Sequence, residues 1–154
     1  MKRFVFDIIL VFFLTLLTGE IITRYFELRS QNTDFLSPDK EGFYSYKPNS
    51  SGDYVFGKPP NIHKTKFNFN DIGFNTVLNI KDFSSKKNNV AFLGDSFVES
   101  FQVDISDSFS SLLMKKSNNY QSYDFGFSGY GMKDYIWIYE NYNLINFDHV
   151  ILIT

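Results

Sequence analysis

The sequence of 154 residues predicts an α/β domain with a parallel sheet, preceded by a transmembrane helix and a short extended or β region. The N-terminal segment is predominantly apolar, and the middle region is polar and rich in turn residues. The last third alternates short apolar runs with helix-compatible stretches. We therefore divide the chain into a membrane anchor at residues 1–23, a stalk and extended region at 24–88, and a sheet domain at 89–154.

The anchor is the apolar segment Phe4–Ile22, which as a helix is about long enough to cross the roughly 30 Å hydrocarbon layer. Lys2 and Arg3 precede it, which favours an uncleaved signal-anchor with the domain on the extracytoplasmic side. A cleaved signal peptide is the alternative, although Leu17–Glu20 is a poor cleavage site. We expect a single-pass membrane protein.

The middle region contains turn signals at residues 47–49, 57–60 and 70–73, which are typical of a stalk followed by short extended pieces. Within residues 63–70 the alternation places Thr65, Phe67 and Phe69 on one face of a strand. This pattern predicts a half-buried strand that packs against the domain that follows.

The sheet domain begins with a strand at Asn89–Leu93 and the turn Gly94–Ser96. A helix from Asp107, its cap, to Lys116 would turn Phe109, Leu112 and Leu113 inward. A second strand covers residues 121–127, a helix with an apolar face including Ile136, Trp137 and Tyr139 covers 133–143, and a third strand, buried on both faces, covers 149–154. The order strand, helix, strand, helix, strand predicts a right-handed parallel sheet.

Ser96 follows the first strand of this sheet, where loops meet helix N-termini and reactive groups collect in open α/β sheets. A serine there can expose its hydroxyl, and its own backbone N–H can face a developing oxyanion. Gly94 permits the tight turn. An ordinary Gly-Asp-Ser turn without chemistry is the alternative for this tripeptide taken alone.

Two stretches of the sheet domain resemble sequence blocks of the SGNH (GDSL-like) hydrolase family: residues 92–97 (FLGDSF) and residues 123–131 (YDFGFSGYG). Upstream, residues 70–75 (NDIGFN) are similar to an Asn-x-x-Gly-Phe-Arg segment of anchored family members, with Asn75 in place of the arginine. The resemblance covers roughly residues 68–154. It implies the N-terminal part of a flavodoxin-like parallel-sheet domain.

The resemblance also implies roles for individual residues. Ser96 would be the nucleophile, and Gly129 would donate a backbone N–H to the oxyanion hole, with Gly126 and Gly131 as alternatives for that donor. The family's Asn block follows the third strand, and its Asp and His lie further downstream. We therefore expect the chain to be the truncated N-terminal half of such a domain, without its general base.

Other side chains are weaker candidates for catalysis or metal binding. His149 opens the third strand, at the wrong end of the sheet for catalysis, and His63 is expected at the surface. The carboxylates of residues 95, 99, 104 and 107 lack metal-ligand spacing and are expected as solvated turn and cap groups, with Asp95 bonding the local backbone. The aromatic residues 130, 135, 137 and 139 could form a carbohydrate platform, but their helical spacing favours core packing. We predict no metal and no cofactor.

The charge and composition exclude nucleic-acid binding and leave several other functions open. A net charge of −2 with scattered Lys and Arg gives no basic surface for nucleic acid, and the chain has no Cys. The leading expectation is a membrane-anchored extracytoplasmic serine esterase that acts on an acyl ester of an envelope glycan or lipid. The alternatives are an O-acyltransferase acting on an envelope polysaccharide, a non-catalytic anchored binding module, and a fragment without function.

Overall fold

The computed structural model describes residues 2–25, 43–58 and 60–154. The chain forms two compact units, residues 1–30 and 31–154. The first contains helix α1, Lys2–Tyr25, and Arg3–Tyr25 is long and apolar enough to cross a membrane. The predicted anchor is therefore a helix of suitable length. The predicted stalk between residues 26 and 42 lies outside the described residues.

The second unit is a mixed α/β structure whose centre is a parallel sheet of three strands in the order β4-β3-β5. Strand β3 is Asn88–Gly94, β4 is Tyr120–Gly126 and β5 is His149–Ile153. The helices between them are α2 (Ser96–Glu99), α3 (Phe109–Lys116) and α4 (Met132–Asn141). The predicted alternation of strands and helices and their parallel pairing are confirmed.

An antiparallel hairpin precedes the sheet and consists of β1 (Ser51–Lys58) and β2 (Asn61–Asn68). The predicted half-buried face is confirmed, because Phe67 and Phe69 are buried and Thr65 donates its hydroxyl to the carbonyl oxygen of Phe101 at 2.6 Å. The backbone N–H of Lys66 also donates to Asp104 Oδ1 at 2.7 Å. The hairpin is thus attached to the loop that follows α2.

Residues on both sides of position 88 share one hydrophobic cluster. Phe43 and Phe74, which precede the sheet, pack with Ala91, Tyr123 and Phe125 of its strands. A second cluster joins the aromatic residues of the hairpin region to the ends of the sheet, namely Tyr46, Phe67, Phe69, Phe101 and Phe127. The extended region and the sheet therefore fold as one unit.

The predicted inner face of α3 is wrong for Phe109 and Leu112, while Leu113 is half-buried. Phe109 is 42% exposed and Leu112 is 45% exposed, whereas Ser110 and Ser111 are buried. The helix is capped by Ser108 instead of Asp107, and the Ser108 hydroxyl accepts from the backbone N–H of Ser111. The reason is a buried carboxyl group below the helix, Asp124 of β4, whose oxygens require hydrogen-bond donors from the helix face that covers it.

Two further packing predictions need correction. On α4 the buried residues are Tyr135 and Ile138, while Ile136 and Tyr139 point to solvent. Burial follows the three-residue spacing of a helix, which the run of aromatic residues obscured.

Strand β5 was predicted to be buried on both faces, but its residues 149–152 are exposed, because among the described residues β5 pairs with β3 alone and forms an edge of the sheet.

Candidate functional site

Ser96 lies in the tight turn between β3 and α2, at the carboxyl end of the central strand. It is the first residue of α2, and its side chain is half-buried. Asp95 precedes the helix as its N-cap and accepts a hydrogen bond from the backbone N–H of Phe97 at 3.0 Å. The predicted structural role of Asp95 is confirmed, and its carboxylate holds the turn that presents Ser96.

Two glycines allow α2 to approach the sheet closely. Gly94 and Gly126 pair with each other at the ends of β3 and β4. A Cβ atom on Gly126 would lie 2.2 Å from the backbone N of Glu99, and one on Gly94 would lie 2.4 Å from a methyl group of Val98. Gly126, an alternative oxyanion donor in the sequence, is therefore a packing residue beneath α2.

Gly129 belongs to the turn after β4 and has a φ of +92°, in the region that favours glycine. An added Cβ would meet no atom within 4 Å, so the backbone here is open. Among the described residues, none accepts a hydrogen bond from its N–H. The same turn is joined to the turn of Ser96, because the N–H of Phe127 donates to the carbonyl oxygen of Gly94 at 3.3 Å. Gly129 and Ser96 thus lie in neighbouring turns at one end of the sheet.

A buried carboxylate connects these two turns. Glu99, the last residue of α2, is 2% exposed. Its Oε1 accepts from the Tyr46 hydroxyl at 2.7 Å and from the backbone N–H of Ser128 at 3.2 Å, and its Oε2 accepts from the Ser128 hydroxyl. The expectation that Glu99 is a solvated cap carboxylate is wrong. It ties helix α2, which begins at Ser96, to the turn that contains Gly129.

The environment of Glu99 alters its acidity in opposing directions. Burial disfavours the carboxylate and raises the pKa of Glu99, while the donors Ser128 and Tyr46 stabilise the charge and lower it. Burial has the larger effect, so the pKa is raised overall. Burial beside this carboxylate also raises the pKa of the Tyr46 hydroxyl, which therefore remains a donor at neutral pH.

Asn75 also holds α2 in place. Its side-chain amide donates to the carbonyl oxygen of Glu99 at 2.7 Å, and its Oδ1 accepts from the N–H of Asn68 at 2.9 Å. Asn70, a few residues earlier, closes the preceding turn by accepting from the N–H groups of Ile72 and Phe74. The residue that replaces the expected arginine is thus a buried hydrogen-bonding link between the hairpin and α2.

A half-open cavity of about 360 Å³ lies beside Ser96, between α2 and α3. Its walls are largely apolar, because Phe97 and Val103 line one part and Phe109 and Leu112 of α3 line another. These apolar side chains are exposed, Phe97 to 71%. The complete lining is Ser96, Phe97, Ser100, Gln102, Val103, Asp107, Phe109 and Leu112.

Neither histidine lines this cavity. His149 pairs with Val90 near the amino end of β3, which confirms its predicted position away from Ser96. His63 is exposed on β2 and stacks on Phe56 with ring centroids 5.2 Å apart. Among the residues that the structure describes, a base for Ser96 is therefore not supplied by histidine.

The remaining acidic residues have separate structural partners. Asp104 accepts from the backbone of Lys66, and Asp107 forms an ion pair with Lys115 at 2.9 Å. No group of His, Cys, Asp or Glu within the described ranges could hold a metal ion. These carboxylates are structural groups of the turns that they occupy.

The aromatic residues near the second turn are mainly packing residues. Tyr135 is buried, and Trp137 stacks on Phe43 with ring centroids 3.9 Å apart. Tyr130 stacks on Phe127 at 4.7 Å, while Tyr139 is exposed. This pattern agrees with core packing for three of the four residues proposed as a carbohydrate platform.

No protein-family model and no curated protein matches this chain. The similarity to SGNH hydrolases in residues 70–75, 92–97 and 123–131 remains a prediction from those residues. The function is therefore argued below from the geometry around Ser96.

The sequence did not identify Tyr46, Asn75 or Ser128 as residues of the site. Each acts through Glu99, and the separation of Tyr46 from Glu99 in the chain gave no local signal. The position of Glu99, three residues after Ser96 in the short helix α2, was the available sign, because such a residue can lie over the same end of the sheet.

Proposed function

We propose that this protein is a membrane-anchored, extracytoplasmic serine esterase of the SGNH class, with a flavodoxin-like catalytic domain. The supporting observation is the placement of Ser96 at a strand-end turn, at the edge of a largely apolar cavity of about 360 Å³. A nucleophile at such an edge can reach the carbonyl carbon of an ester whose acyl group lies in the cavity.

In the proposed reaction, Ser96 Oγ bonds to the carbonyl carbon of the ester and gives its proton to a general base. The backbone N–H groups of Ser96 and Gly129 stabilise the oxyanion. The bond from that carbon to the alcohol oxygen then breaks, and the base returns the proton to the departing alcohol. Water attacks the acyl-enzyme in the same way and releases the acid. The proposal requires a base other than His63 or His149.

The test is labelling of the protein, purified from its own membranes, with a fluorophosphonate probe. We expect the wild type to be labelled and Ser96→Ala to lose labelling and ester hydrolysis by at least about 1,000-fold, because the nucleophile is removed. Ser85→Ala, at an exposed serine of the loop before β3, is the matched control and should keep both signals.

Equal labelling of Ser96→Ala and the wild type would remove Ser96 from this role. Absence of labelling in the wild type would instead favour the second candidate, a non-catalytic anchored binding module. The observation in favour of that candidate is that neither histidine lines the cavity.

A further inference from the structure

The cavity beside Ser96 has an unusual wall for the surface of a small domain. Four residues of this wall are large and apolar with substantial exposure, and all of them line the same cavity: Phe97, Val103, Phe109 and Leu112. Exposed apolar side chains scattered singly are ordinary, but a contiguous group beside a hydroxyl nucleophile indicates a ligand surface. The wall therefore predicts an apolar ligand.

Two of the polar residues that line the cavity, Ser100 and Asp107, are already engaged within the protein, which leaves Gln102 and the Ser96 hydroxyl as its other polar side chains. The Ser100 hydroxyl donates to the backbone carbonyl oxygens of Phe97 and Val98. Asp107 is paired with Lys115 at the rim. A sugar ring would bury most of its hydroxyl groups against the apolar side chains of the wall without hydrogen-bond partners, which is unfavourable. A hydrocarbon chain would lose no hydrogen bonds.

We propose that this cavity of about 360 Å³ binds a medium-length hydrocarbon acyl chain whose ester carbonyl lies at Ser96. An acetyl group would leave most of the cavity empty. The inference deepens the proposed esterase function and rests on it for the position of the carbonyl. It assigns the acyl side of the substrate to Phe97, Val103, Phe109 and Leu112.

The packing of α3 explains how this wall is maintained. Ser110 and Ser111 face inward because Asp124 accepts from the N–H and hydroxyl of Ser110. With that face committed to hydrogen bonds, Phe109 and Leu112 are turned toward the cavity side. The apolar wall is thus a consequence of a buried polar contact on the opposite face of the same helix.

The experiment compares p-nitrophenyl acetate, hexanoate, octanoate and dodecanoate as substrates of the full chain. Each fully buried methylene should raise kcat/KM about fourfold, and about twofold in a half-open cavity. We therefore expect octanoate to exceed acetate by at least about tenfold. Leu112→Gln should reduce this ratio of octanoate to acetate by about fivefold or more, because it places an amide in the acyl wall.

The matched control is Ile136→Gln, which introduces the same polar group at an exposed apolar residue of α4 outside the cavity. It should leave the chain-length profile unchanged. Acetate as the best substrate, or an unaltered profile in Leu112→Gln, would overturn the acyl-chain inference while the esterase proposal stands.

A second measurement separates this inference from failure of the proposed function. If the wild type hydrolyses none of the esters, the esterase proposal fails. Octanoate binding to Ser96→Ala is then measured by calorimetry. Saturable binding that Leu112→Gln weakens by about tenfold would retain the apolar chain site, and absence of binding would overturn it.

Discussion

Asp124 is a carboxylic acid in the middle of β4 and is 1% exposed. Its two oxygens accept from the hydroxyl and the N–H of Ser110, yet desolvation outweighs these bonds and raises the pKa of Asp124 to about 7. In the unfolded chain the carboxyl has an ordinary pKa of about 3.9. Between these two pKa values the folded state therefore binds more protons than the unfolded state does.

The sign of the pH dependence follows from this difference. The stabilisation associated with the raised pKa is complete below about pH 4 and is lost as the pH rises to about 7. With a difference of roughly three pKa units, the loss is at most about 4 kcal/mol. We expect Asp124→Asn to flatten the pH dependence of the free energy of unfolding, since the amide stays neutral.

The measurement is urea unfolding of the full chain in detergent at several pH values, followed by the fluorescence of Trp137, the single tryptophan. The difference between the pH profiles of the wild type and Asp124→Asn reports the titration of Asp124, because other titrating groups, including Glu99, are present in both proteins. Parallel pH profiles for the two proteins would contradict the prediction.

At the scale of elements, α2 is a single turn whose position depends on its contacts with the sheet. Gly126 lies directly below it, and Asn75 donates to its last carbonyl oxygen. Glu99 then connects it to the turn of Gly129 through Ser128. The geometry of Ser96 is thus set by the elements around α2, because the helix is too short to be stable alone.

Gly126→Ala tests this dependence. The added methyl group would lie 2.2 Å from the backbone N of Glu99, so α2 must move away from the sheet. We expect a loss of about 1–3 kcal/mol in the free energy of unfolding, as for overpacked cores. If Ser96 is labelled by a fluorophosphonate as proposed, that labelling should fall as well, because Ser96 moves with the helix.

Gly131→Ala is the control for this substitution. Its Cβ would meet no atom within 4 Å, and its φ of −130° suits any residue. It should cost less than about 1 kcal/mol, the ordinary difference between Gly and Ala at a helix N-cap. Equal losses in the two variants would show that close packing beneath α2 is unimportant.

At the scale of the whole molecule, the chain combines an apolar helix with a domain that contains the candidate site. Helix α1 has 24 residues and is about 36 Å long at 1.5 Å per residue, which exceeds the roughly 30 Å hydrocarbon layer. Near its C-terminal end, Glu20 and Arg24 form an ion pair at 2.7 Å. A charged pair there can lie at the membrane interface at modest cost.

The double variant Val11→Arg with Leu14→Arg tests membrane insertion. Each arginine near the middle of the helix opposes insertion by about 2.5–3.5 kcal/mol. We expect the variant to be lost from carbonate-washed membranes, whereas Val11→Ala with Leu14→Ala remains. A wild-type protein recovered in the soluble fraction without its first residues would instead support the cleaved signal peptide.

Local patterns in the sequence were sufficient to indicate most helices and strands, although strand β1 of the hairpin was not predicted as a strand. The alternation around Phe67 and Phe69 and the apolar run before Gly94 indicated strands, and the N-terminal apolar segment indicated a long helix. These signals succeed because strand and helix periodicity are properties of neighbouring residues. The turn that presents Ser96 was recognisable for the same reason, since Gly94 and Asp95 act within a few residues of it.

Which side chains are buried, and which hydrogen-bond partners they have, depended on contacts between residues distant in the sequence. Glu99 became a buried link through Tyr46 and Ser128, and Phe109 was turned outward because Asp124 required Ser110. The oxygens of a buried carboxyl group must find donors wherever the fold supplies them, and that requirement outweighs the hydrophobic periodicity of a short helix. The sequence pattern thus indicated the strands of the parallel sheet, the strand that contains Phe67, the longer helices and the Ser96 turn, whereas three-dimensional packing determined which side chains surround Ser96.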